Sequence, residues 1–267
     1  MLQETDFARL ADLLRRQEAV TNLEQDVWME CRRFLFSYHG RESFLVLPET
    51  PHPLRPWLWR PTFFGAWPET DLRLIRKGFH LAYTDVLDFY ASPAGVEHGH
   101  HFHALLRKIG MAAKFAFIAL SRGGLFAYRY AEAFPEQVAV IYADAPVCDV
   151  RSWPGGLGVA QRAVPEFQQL LAAHGISEAD ALKESFQPIY RLESLASHGI
   201  PLIHVGGDAD DVVPFQENTL PLAREYRALG GHIQVIVKPG IKHHPHCLDD
   251  PEPVVRFIEK YTLEDPS

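Results

Sequence analysis

Cysteine is scarce and scattered. The 267 residues contain three, at positions 31, 148 and 247, too few and too far apart for a disulfide framework, so reduced thiols are expected. No apolar run approaches the ~20 residues that span a bilayer. The net charge is −8, and no basic stripe is visible. Nucleic acid and anionic membrane surfaces are therefore excluded as expected partners. The amino terminus, Met1 to Asp6, has neither the basic start nor the apolar stretch of a secretory signal. A cytoplasmic location is expected, or a secreted or periplasmic one if a signal has been removed. No H-E-x-x-H or paired-cysteine spacing accompanies either histidine cluster, His98, His100, His101 and His103 or His243, His244 and His246, so no metal and no cofactor is expected.

What the chain does have is an ordinary globular balance, 47% hydrophobic and 22% charged, and enough length to bury one large core. Apolar segments of strand length alternate with helical ones. Strands are expected over 32–37, 42–47, 78–85, 114–120, 137–142, 200–206 and 232–238, with a hairpin turn at His39, Gly40 and Arg41. Helices are expected over 7–17, 71–77, 94–109, 125–134, 215–229 and 251–261. This alternation predicts an α/β fold, a mostly parallel sheet with helices on both faces and an antiparallel edge from the early hairpin. Residues 149–197 break the rhythm. They are turn-rich around Trp153, then helical, and predict a small helical lid within a single domain spanning 1–267.

The strand ending at Leu120 runs into Ser121, Arg122, Gly123 and Gly124 and then into a helix. An apolar strand, one serine and glycines opening a helix is the context of a nucleophile elbow. The turn lifts the hydroxyl clear of the sheet and aims the next backbone N–H, that of Arg122, where an oxyanion forms. The local string A-L-S-R-G has Ala119 where G-x-S-x-G has its first glycine. A serine needs an imidazole to take its proton and a carboxylate to orient that imidazole. Two later strand-to-loop junctions offer them: G-D-A-D-D-V-V-P over 207–214 and G-I-K-H-H-P-H over 240–246. Asp144, at the end of another strand, is a fallback acid.

With its order of serine, aspartate and histidine at strand ends, the chain from about Arg32 onward resembles the α/β-hydrolase superfamily. The acid loop is similar to the family's G-x-x-D-x-x-V-P, which selects Asp210 over Asp208 and Asp211. The histidine loop is similar to G-x-x-H, which selects His243 over His244 and His246. The strings P-W-L-W-R, L-S-R-G-G-L, D-A-P-V-C-D and H-H-P-H-C-L-D-D-P resemble a bacterial subgroup associated with carbohydrate-ester hydrolases. The resemblance implies a serine hydrolase that cleaves a small carboxylic ester through an acyl-enzyme on Ser121. The same triad serves amide hydrolysis, acyl transfer or a lyase reaction, and a non-catalytic binding protein on this fold is the reading from another class.

The family's second oxyanion donor follows the early hairpin, here in a loop over 49–60. The H-G-G string is missing and Pro51, Pro53 and Pro56 have no N–H to give. The expected donor is Trp59, with Trp57 as the other choice. Trp57, Arg60 and Trp153 are expected to bind substrate, since aromatic faces suit sugars and an Arg fork suits a carboxylate. Arg122 is expected to pair internally with Asp144, Asp149 or Glu217. Cys148 and Cys247 are expected as small buried residues under the site.

Overall fold

The structure, a computed structural model, describes residues 4–263. After a first helix, α1 (Glu4–Arg15), come three strands, β1 (Val20–Trp28), β2 (Cys31–Tyr38) and β3 (Arg41–Val46). Then follow β4 (Trp57–Trp59), α2 (Glu69–Arg76), β5 (His80–Thr84), α3 (Pro93–Lys108), β6 (Phe115–Leu120), α4 (Gly123–Ala133) and β7 (Val138–Asp144). Three short helices come next, α5 (Val164–His174), α6 (Glu178–Ala181) and α7 (Glu193–Ser197). The chain ends with β8 (Leu202–Gly207), α8 (Thr219–Ala228), β9 (Ile233–Lys238) and α9 (Glu252–Leu263).

The nine strands form one sheet in the order β1-β2-β3-β5-β4-β6-β7-β8-β9. β2 is antiparallel to both β1 and β3, β3 is antiparallel to β5, and every later pair is parallel. β6 shows why helices must cover both faces, because all six of its residues are buried. Phe115, Phe117 and Ala119 join Phe102, Phe126 and Tyr130 in the core on one face. Ala116 and Ile118 join Leu74, Ile75, Val254 and Ile258 on the other. The period of two along a strand sends alternate side chains to opposite faces, and each large apolar side chain buried contributes about 1.5–3 kcal/mol.

Two strands lie outside the sequence expectation. β1 has one buried residue in nine; it is an edge strand paired only with β2, so its sequence needs no apolar alternation. β4 is the larger correction. Residues 57–59 are not part of a loop but a central strand between β5 and β6, all three buried. The prolines precede it, where no ladder N–H is required, and Pro56 takes part through its carbonyl, which accepts from His80 N–H at 3.0 Å.

Candidate active site

β6 delivers the chain to Ser121, whose φ is +50°. A non-glycine residue in the left-handed region costs on the order of 1 kcal/mol or more, and it persists only where its surroundings over-determine it. Three main-chain bonds do so here. Ser121 N–H donates to Asp144 O at 2.9 Å, while Ser121 O accepts from Gly124 N–H at 2.9 Å and Val147 N–H at 3.0 Å. The two glycines are demanded by close approach. A Cβ at Gly123 would stand 2.5 Å from Thr62 Oγ1, and one at Gly124 would stand 2.4 Å from Pro146 Cβ. Arg122 is the cap residue of α4, so its N–H belongs to the electropositive end of that helix.

The other two residues arrive from the carboxyl ends of β8 and β9. His243 Nε2 lies 3.0 Å from Ser121 Oγ, and His243 Nδ1 lies 2.8 Å from Asp210 Oδ2. Both the imidazole and the carboxylate are buried, which shields their interaction from water. The remaining Asp210 oxygen, Oδ1, accepts the N–H groups of Val212 and Val213, each at 2.9 Å, so the carboxylate is held from both sides. The acid and histidine loops touch directly: a Cβ at Gly207 would fall 2.0 Å from Ile241 O. Ser121, His243 and Asp210 thus form one continuous hydrogen-bonded line across 122 and 33 residues of sequence separation.

The competing carboxylates are engaged elsewhere. Asp208 Oδ1 accepts Gly240 N–H at 2.6 Å, and Asp211 forms an exposed ion pair with Lys242 at 2.6 Å. Asp144 faces a different histidine: its Oδ1 is 2.6 Å from His246 Nδ1, and its Oδ2 accepts Cys247 N–H at 2.9 Å and Tyr142 O–H at 3.0 Å. His246 and Asp144 form a second buried imidazole–carboxylate pair beside the first. Sequence reading missed it because it joins the end of β7 to the loop after β9.

The residues expected from the 49–60 segment and near Trp153 are placed differently. Trp57 and Trp59 have no exposed surface. Trp57 Nε1 donates to Ala112 O at 3.0 Å, and the Trp59 ring stacks on Phe117 with centroids 5.3 Å apart. The Trp59 backbone lies inside the ladder between β5 and β6, so it has no N–H to aim at an oxyanion. Arg60 is also fully buried; its guanidinium pairs with Asp71 and donates to Ala66 O at 2.6 Å, leaving no fork for a substrate. Burial pushes the Asp71 carboxyl up to about 6 against the pull of Arg60. Trp153 is half-buried and packs against the core.

Arg122 makes none of the three expected ion pairs. Asp144 takes His246, Asp149 takes Arg151 at 2.5 Å, and Glu217 takes Ser152 Oγ at 2.5 Å. Instead the Arg122 guanidinium lies 4.6 Å over the Tyr90 ring, and Tyr90 O–H donates to Gln169 on α5 at 2.7 Å. Thr62 is the residue sequence reading passed over. It is buried where the chain leaves β4 and turns against the serine turn, with Oγ1 3.5 Å from Leu120 O. The signal that locates it is the apolar run Trp57–Trp59, which is a strand and not the loop expected from sequence.

The helical histidines do not converge. His98 Nε2 meets Thr84 Oγ1 at 3.0 Å, His103 Nε2 meets Ala113 O at 2.8 Å, and His100 stacks on Phe134 with centroids 4.1 Å apart. Among the described residues the one grouping with metal-ligand proximity is His243, His244 and His246, whose ligand atoms lie within 4.8 Å of one another. The three cysteines are free, and burial pushes the Cys247 thiol up to about 12. No described helix is long and apolar enough to cross a membrane.

No family model matches the chain, and no curated protein is similar to it in sequence. Among solved structures it is similar to Est1E from Butyrivibrio proteoclasticus, with a TM-score of 0.58 and 14% identity over 90% of this chain and 97% of that one. The likeness is one of fold, an α/β architecture with a mostly parallel central sheet.

Proposed function

We propose that the chain is a serine hydrolase that cleaves a small polar carboxylic ester through an acyl-enzyme on Ser121. The observation that carries the reading is the unbroken line from Ser121 Oγ through the His243 ring to Asp210. That the structural neighbour Est1E is an esterase supports the choice of bond. Carbohydrate esters remain within the substrate class through the sequence resemblance, although the buried Trp57, Trp59 and Arg60 take no part in gripping them.

In this mechanism His243 Nε2 accepts the Ser121 proton as Oγ attacks the ester carbonyl. The positive charge gained by the imidazole is balanced by Asp210, which also fixes the tautomer that leaves Nε2 free to accept. The oxyanion takes a hydrogen bond from Arg122 N–H. The second donor is assigned to the main chain at Thr62 and Phe63, because this segment lies against the serine turn and Pro61 has no N–H. His243 then protonates the departing alcohol. A water deprotonated by the same nitrogen attacks the acyl-enzyme and releases the acid. Residues 149–197 act as the lid; the Arg122–Tyr90–Gln169 contact and the Asn218 carboxamide, accepting the N–H groups of Cys148 and Asp149 at 2.9 and 3.1 Å, tie this segment to the site.

An active-site-directed fluorophosphonate tests the proposal. Labelling at Ser121 and loss of ester turnover in Ser121→Ala are expected. Labelling at another residue, or undiminished turnover in the variant, overturns it.

A further inference from the structure

We propose that His243, His244 and His246 form an inhibitory site for zinc, and that the ion acts by taking His243 away from Ser121. The binding half rests on the imidazole cluster alone, and the inhibitory half rests on the catalytic reading above. One potential ligand atom from each ring lies within 4.8 Å of the other two. Two of the rings are already oriented as metal-bound histidines are: His243 Nδ1 faces Asp210 at 2.8 Å, and His246 Nδ1 faces Asp144 at 2.6 Å. A carboxylate holding one ring nitrogen fixes the tautomer and leaves Nε2 as a basic ligand. Two such carboxylates behind the rings also supply the negative charge that a dication requires. The nearby cation Lys238 is occupied by the loop's own carbonyls, those of Pro245 and Cys247.

Three imidazoles with no oxygen ligands select zinc or a similar borderline metal over calcium or magnesium, which demand oxygen donors. Zinc–nitrogen bonds are about 2.0–2.1 Å and tetrahedral, so the ring nitrogens must draw closer together than they now stand. The ring able to do so is His244. It is exposed and stacked on Trp67, with centroids 5.0 Å apart and planes at 15°, whereas His243 and His246 are buried and tethered. The lone pair on His243 Nε2 that zinc takes is the one that meets Ser121 Oγ at 3.0 Å. Binding the ion and accepting the serine proton are therefore mutually exclusive.

The test is a calorimetric titration of zinc chloride into chelator-stripped protein, run beside ester turnover with and without the ion. One equivalent is expected to bind the wild type, to suppress turnover, and to be reversed by EDTA. His244→Ala and, as a second variant, His244→Gln are expected to keep metal-free turnover within about twofold and to lose zinc affinity by about tenfold or more. Ser121→Ala is expected to bind zinc at least as well as the wild type. Absence of one-equivalent binding, or both His244 variants binding as tightly as the wild type, overturns the site. One-equivalent binding with turnover unaffected overturns the inhibition. Zinc binding in a protein that has no metal-free turnover and takes no fluorophosphonate leaves the site standing and sinks the hydrolase reading.

Discussion

Asp144 holds Ser121 through its main chain and His246 through its side chain. Its carbonyl accepts Ser121 N–H at 2.9 Å, and its carboxylate receives His246 Nδ1 at 2.6 Å and Cys247 N–H at 2.9 Å. One residue at the end of β7 thus anchors both the turn bearing the hydroxyl and the loop bearing the imidazole. Asp144→Asn leaves the first anchor intact and weakens the second, since an amide nitrogen cannot accept. Each buried donor orphaned this way costs about 1–3 kcal/mol. The expected result is a lower Tm and a kcat reduced by about 10–100-fold at nearly unchanged KM, because a displaced base is felt in the transition state and not in ground-state binding. Steady-state kinetics with thermal denaturation checks it, and a raised KM at full kcat would contradict the positioning role.

Replacing the other carboxylate acts on the tautomer. Asp210→Asn keeps an oxygen for the Val212 and Val213 N–H groups but turns an NH2 toward His243 Nδ1. The proton then moves to Nε2, which can no longer accept from Ser121. Loss of kcat on the order of 10⁴-fold is expected with the fold retained, measured as initial rates beside circular dichroism.

Gly124→Ala probes the elbow sterically. The added methyl meets Pro146 Cβ at 2.4 Å and Pro146 Cα at 3.0 Å, and backbone cannot swing aside as a side-chain tip does. Overpacking of this kind costs about 1–3 kcal/mol. It pushes on the segment whose Val147 N–H clamps Ser121 O. Urea unfolding and turnover are expected to fall together.

Arg60→Ala separates packing from substrate binding. It leaves the Asp71 carboxylate buried without its partner, a change worth about 3–5 kcal/mol. A marked drop in the urea midpoint is expected. The KM of the folded fraction should stay close to that of the wild type.

Acid should destabilise the fold through buried neutral histidines. Burial lowers His80 and His98 to about 4 and His204 to about 3, from an ordinary value of 6.5. Below 6.5 the unfolded chain takes up protons that the folded rings refuse, so stability falls as pH drops from 6.5 toward 4. Each fully buried ring contributes on the order of 3 kcal/mol when the titration is complete. Asp71 works in the opposite direction, because its folded carboxyl takes a proton at about 6, before the unfolded one does. Three groups against one set the sign. Urea midpoints measured from pH 7 to pH 4 should decline, most steeply below pH 6.

The parts of this architecture visible in the sequence are those written locally. β6 is a pure apolar run that leads into Ser121, Arg122 and two glycines, and both later loops carry their own turn residues, so each junction is read without knowledge of its neighbours. What escapes is relational. β4 is three residues behind a proline-rich stretch, and only its place between β5 and β6 makes it a strand. Arg60 reads as a fork for substrate until Asp71 is packed against it. β1 shows one buried side chain in nine, so water, not the core, dictated its composition. The Asp144–His246 pair spans 102 residues and has no local signature at all.

β9 ends the sheet, is paired on one side only, and is buried at just one of its six positions. His243 is carried by the loop that leaves this outermost strand, while Ser121 rides on β6, which has both flanks filled. Edge segments open at lower free energy than the centre. Warming should therefore fray the β8–β9 seam first, and heat inactivation should precede cooperative melting and reverse on cooling.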